Sequence, residues 1–94
     1  MATVFTKEWA VRVDWRTSYT RKHNYYQFDT RDEAEKFISE FKPTKPMQNG
    51  KVEYATIEHF VMKDGYKMPE KVAGYSWFNS KFETDKLFKA DYFQ

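Results

Sequence analysis

The sequence predicts an α+β domain: a mainly antiparallel sheet in β-β-α-β-β order, with one helix packed on one face and an aromatic C-terminal extension. Three observations carry this. Residues 8–16 alternate, with Trp9, Val11, Val13 and Trp15 on one face and Ala10, Arg12, Asp14 and Arg16 on the other. That period of two marks a half-buried strand. Residues 30–41 carry a helix start signal followed by an apolar stripe at helical spacing. Asp64-Gly65, between two strand-like flanks, is type I′ hairpin chemistry. Hairpins rather than βαβ crossovers therefore connect the strands.

Taken in order, the polar run 17–23 reads as a hairpin loop and residues 24–29 as the return strand. Tyr26 and Phe28 would face inward, leaving Tyr25 toward solvent or a partner. Thr30-Arg31-Asp32-Glu33 forms a capping box, in which Thr30 and Glu33 satisfy each other's backbone donors. Asp32 and Glu33 also suit the positive end of the helix dipole. Ala34, Phe37, Ile38 and Phe41 fall at i, i+3, i+4 and i+7, so a helix over 31–42 should lay this stripe on the Trp9–Trp15 face. Pro43 ends it.

Residues 43–50, with Pro43, Pro46 and Asn49-Gly50, read as a loop. A long strand follows over 51–63. Val52, Tyr54 and Phe60 favour one inward face and Ala55, Ile57 and Val61 the other, a conflict that a bulge near the middle would resolve. The return through Tyr66, Lys67 and Met68 is cut by Pro69, which confines it to a sheet edge. Residues 74–78 suggest a further short strand, and the tail 82–94 a short helix capped by Thr84.

The chain has 94 residues, enough for a single domain over 1–94 and too few for a second core. Nine Phe, seven Tyr and three Trp replace the usual aliphatic core, since Leu occurs only at position 87 and Ile only at 38 and 57. Cysteine is absent, which excludes disulfides and thiolate metal sites. The first residues carry no apolar stretch of signal-peptide type, and no run approaches the length of a membrane span. A cytoplasmic protein without membrane attachment is therefore expected. The formal net charge of +2 is too small to identify a partner.

Catalysis has little support. His23 and His59 are the only histidines, and Ser18, Ser39, Ser76 and Ser80 lack a nucleophile-elbow context. Three scattered glycines make no phosphate loop. Glu53, Glu58 and His59 could supply acid–base groups, but Glu58 and His59 are adjacent and point to opposite strand faces. The expectation is no enzyme, no metal and no cofactor.

Recognition is better supported. Ring surface beyond the needs of a core, an edge strand marked by Pro69 and an aromatic tail suit a protein partner. The edge could also pair with a second copy as a homodimer. The alternative is single-stranded nucleic acid or RNA on the hairpin 12–25, where Arg12, Arg16, Arg21, Lys22 and His23 interleave with Tyr19 and Tyr25. Tyr66, Tyr75 and Trp77 complete the candidate contact residues.

The run 26–37, Tyr-Gln-Phe-Asp-Thr-Arg-Asp-Glu-Ala-Glu-Lys-Phe, is similar to the strand-to-helix step of small α+β domains, RNA-recognition domains among them. Those domains begin β-α-β, whereas this chain begins with a hairpin, so no functional residue carries over. In composition, a short chain rich in Lys, Phe, Tyr and Asp and poor in Leu resembles accessory proteins of bacteriophages and other mobile elements. That resemblance implies an inhibitor or modulator that binds a host protein in the host cytoplasm.

Overall fold

A computed structural model describes residues 5–84, apart from the side chain of Lys63. Among the described residues, five antiparallel strands and two short helices form a domain of the α+β type. The elements are β1 (Trp9–Arg16), β2 (Arg21–Phe28), α1 (Arg31–Ser39), α2 (Lys45–Gln48), β3 (Lys51–Lys63), β4 (Tyr66–Phe78) and β5 (Lys81–Thr84). The sheet order is β2-β1-β3-β4-β5.

The alternation in β1 does what its period requires. Val11, Val13 and Trp15 are buried on the face that α1 covers, opposite Ile57, Ala55 and Val52 of β3. Ala34, Ile38 and Phe41 come down onto them, with Met47 of α2 closing one side. Phe37 packs against Tyr26 and Phe28, so the two rings expected to face inward from β2 do. The Thr30 cap forms: the Glu33 amide donates to Thr30 Oγ1 (3.3 Å), and the Thr30 hydroxyl donates to Glu33 Oε1 (3.2 Å).

Several elements differ from the sequence reading. The helix stops at Ser39 rather than 42, because Glu40 leaves helical geometry and the Phe41 amide turns back to the Ile38 carbonyl. The β1–β2 turn is only residues 17–20, since residues 21–23 already pair with β1. Part of the proline loop forms the single turn α2, with Pro46 in its first turn, where a missing N–H costs nothing.

The face conflict in β3 is resolved near its start rather than its middle. The β1–β3 register shifts between Asp14 and Trp15, so that Val52 joins Ala55 and Ile57 in the core. Tyr54, Thr56, Glu58 and Phe60 take the opposite, open face. A second shift, between Ile57 and Glu58, falls in the β3–β4 pairing.

Pro69 does not cut the return strand. β4 runs unbroken from Tyr66 to Phe78, with Pro69 paired to Phe60, and β5 flanks only Tyr75–Phe78. At Pro69 the strand is thus an outer edge among the described residues, where a missing donor breaks no ladder. Residues 81–84 form β5, an additional strand, and Phe82 packs on Trp77 and Phe41. The expected C-terminal helix after Thr84 lies outside the described residues.

Candidate functional site

Three surfaces of the sheet carry side chains with chemistry. The first is a recess of about 150 Å³ on the open face, lined by Arg12, Asp14, Tyr54, Thr56, Glu58 and Lys71. Alternation places these groups there: Arg12 and Asp14 from β1, Tyr54, Thr56 and Glu58 from β3, and Lys71 opposite Glu58 on β4. Arg12 is held by Asp14, its Nε donating to Oδ1 at 3.1 Å with Nη2 also 3.1 Å from that oxygen, and it lies over the Tyr25 ring at 6.0 Å.

Glu58 is 3% exposed, and its Oε2 is buried without a hydrogen-bond partner among the described residues. Burial pushes its carboxyl above the ordinary range against the pull of Arg12 and Lys71, and the charge of Asp14 adds to the rise. Tyr25 responds in the same direction, through burial first and the Glu58 charge second.

Tyr25 points to the open face, away from the core, and is half-buried there. Phe5 meets its ring edge-on at 4.8 Å and also packs on Phe60 at 4.3 Å. The segment that carries Phe5 is held on the sheet: the Thr6 amide donates to Gln27 Oε1 (2.8 Å), and the Phe60 amide donates to the Glu8 carbonyl (2.8 Å).

The second surface is the turn end of the sheet. Tyr19, at the tip of the β1–β2 turn, is 95% exposed. Arg16, Arg21, Lys22 and His23 are exposed around it. Lys22 lies over Trp15 at 5.6 Å, and His23 meets Tyr25 edge-on. Arg16 is 3.8 Å from Glu53. A recess of about 510 Å³ is lined by residues 16–18 and 48–51. Gly50 makes the close passage there, since a Cβ at that position would stand 2.4 Å from the Arg16 carbonyl oxygen. Sequence reasoning did not single out Gln48, Asn49 and Gly50 as surface-forming; their turn chemistry was the available signal.

The third surface is the far end of the β3–β4 hairpin. The β1–β3 register ends at Trp9↔His59, and the hairpin continues past it to a tip at Asp64-Gly65. Both tip residues have positive φ (51° and 81°), as a type I′ turn requires. Met62, Tyr66 and Met68 on this arm are 66%, 72% and 48% exposed.

The structure thus scatters the candidate contact residues. Arg16, Tyr19, Arg21, Lys22 and His23 gather at the turn end. Arg12 and Tyr25 belong to the open face, and Tyr66 stands on the arm. Tyr75 and Trp77 face the core side, half-buried against it. His59 stacks on Trp9 at 4.2 Å with Glu8 3.8 Å away, on the face opposite Glu58.

These features define the class: a small α+β domain on a five-stranded antiparallel sheet whose outer surfaces differ sharply in chemistry. No protein-family model, no curated protein and no solved structure matches the chain. Among the described residues no helix is long and apolar enough to cross a membrane.

Proposed function

We propose that this chain is a non-catalytic protein-binding domain that docks through the β3–β4 arm. The observation that supports this reading is the exposure of Met62, Tyr66 and Met68 within seven residues of chain, on a hairpin extending past β1. By register Tyr66 and Met68 share one face of the arm and Met62, opposite Lys67, lies on the other, so a partner that wraps the arm meets both. Thioethers adapt to irregular apolar pockets, and Tyr adds area with a polar tip. Beside them, β4 from Tyr66 to Gly74 has no strand on its outer side among the described residues. The partner can add backbone hydrogen bonds there, although Pro69 removes one donor. In this reading the partner is a host protein in the cytoplasm, as the compositional likeness to phage accessory proteins implies, and binding blocks or redirects it.

The test pairs affinity capture with an arm variant. Wild-type protein should retain a stoichiometric protein from host lysate, and the triple variant M62S/Y66S/M68S should lose it while keeping its circular dichroism spectrum. Equal capture by the two proteins overturns the assignment. Sedimentation decides the homodimer alternative, which requires mass doubling that Lys67→Pro on the arm abolishes.

A further inference from the structure

We infer that the turn end of the sheet is a second binding surface, which takes single-stranded nucleic acid through phosphate contacts to Arg16, Arg21 and Lys51 and base stacking on Tyr19. Two recesses meet there. The larger, about 510 Å³, lies between Arg16-Thr17-Ser18 and residues 48–51. The smaller, about 200 Å³, continues from the same three residues along the turn to Arg21. The larger volume falls within the roughly 300–1,000 Å³ range of sites that hold a nucleotide-sized group. Neither recess has a carboxylate in its lining, although the chain carries 14 acidic residues.

Cations lie on both sides of the groove. Lys51 pairs in register with Arg16 across β1 and β3, and Arg21 pairs with Arg16 across β1 and β2, so three cationic residues sit on adjacent strands. Strands lie about 4.8 Å apart, so consecutive phosphates of an extended chain can meet successive cations. Glu53 offsets Arg16 in part; Arg21 and Lys51 have no ion pair among the described residues. Lys22 and Lys45 are exposed nearby in the chain, whereas Asp32, Glu33, Glu35 and Glu40 are carried on and beside α1. Cations lining both recesses without a carboxylate attract a polyanion to the turn end.

Tyr19 decides which polyanion fits. An aromatic ring 95% exposed at the tip of a tight turn contributes almost nothing to the core. The turn beneath it is fixed, with the Thr17 amide bonded to the Thr20 carbonyl (2.9 Å) and the Thr17 hydroxyl accepting from the Thr20 amide (3.2 Å). An exposed ring on a fixed turn, beside phosphate-binding cations, is a stacking platform for an unpaired base, which a duplex or an acidic protein does not offer.

Fluorescence anisotropy with a labelled oligothymidine, its duplex and polyglutamate tests the inference. The single strand should bind, with affinity falling steeply as salt rises. Tyr19→Ala should weaken it by about 5- to 150-fold, the range of one lost base stack. R21A/K51A should flatten the salt dependence by about two charges. The arm variant M62S/Y66S/M68S should bind as wild type does, which separates this surface from the protein-docking one. No binding of the single strand overturns the inference, as does equal affinity for polyglutamate or duplex, or a Tyr19→Ala variant that binds unchanged.

Discussion

Ile57 and Glu58 are neighbours in one strand, 0% and 3% exposed, yet they are buried by different means. Ile57 lies under α1 among Val11, Val13, Ala34 and Ile38, where burial removes apolar surface from water. Glu58 lies on the open face, which no helix covers among the described residues, together with Arg12, Asp14, Tyr54, Thr56 and Lys71. There burial removes a carboxylate from water and leaves one oxygen without a partner among the described residues. Equal burial therefore has opposite energetic sign on the two faces: it stabilises the fold at Ile57 and costs free energy at Glu58.

The contrast breaks first at Ile57. Truncation to Ala should destabilise the domain by about 2–4 kcal/mol, the cost of lost burial plus a cavity that a packed interior closes only in part. The exposed arm residue Tyr66→Ala should change stability by no more than about 0.5 kcal/mol. Urea denaturation of the two variants measures both. A small loss at Ile57 would mean that α1 is not seated on the sheet as described.

Gly50→Ala comes next, at about 1–3 kcal/mol, because the added methyl meets the Arg16 carbonyl and the Trp15 ring, and overpacking against backbone forces a shift. It should also alter the groove at the turn end, read as changed amide chemical shifts at residues 16–18. Thr30→Ala should cost about 1 kcal/mol, since it removes the acceptor for the Glu33 amide and loosens the first turn of the helix that seals the Ile57 face. A Thr30→Asp variant that retains stability would assign the loss to the cap itself.

The helix-covered face could be read from sequence and the open face could not, and the two residues show why. Ile57, Val11 and the α1 stripe announce themselves by periodicity, a local property of the chain. So does the Asp64-Gly65 turn, whose backbone demand falls on two adjacent residues. The surroundings of Glu58 include Arg12, Tyr25 and Lys71, which β1, β2 and β4 bring together from positions far apart in sequence. Phe5 over Tyr25 is a contact of the same kind. The β4–β5 turn hid for another reason. Asn79 and Ser80 both take positive φ, at 52° and 64°, without the glycine that usually flags such a hairpin. Pro69 marks the sheet edge correctly, but the strand is not cut there, because an edge strand accommodates a proline without breaking its ladder.

The smallest expected effect, and the one of opposite sign, is at Glu58. Its carboxyl is held above the ordinary range by burial. Below the ordinary carboxylate pKa both folded and unfolded chains carry this proton, so the group adds no pH dependence. As pH rises through the ordinary value, the unfolded chain releases the proton first while the folded chain retains it, and stability falls until the folded group has also ionised. Glu58→Gln keeps the shape and removes the charge, so the variant should lack this fall. Its stability relative to wild type should rise from acid toward neutral pH and then level off. Urea denaturation at intervals between about pH 3 and pH 8 measures the difference curve. A flat curve would mean that Arg12 and Lys71 cancel burial, and one that favours wild type increasingly toward neutral pH that they outweigh it. The open face would then be an ion-pair network stabilised by its charges, and the contrast between Ile57 and Glu58 would be one of chemistry without a change of sign.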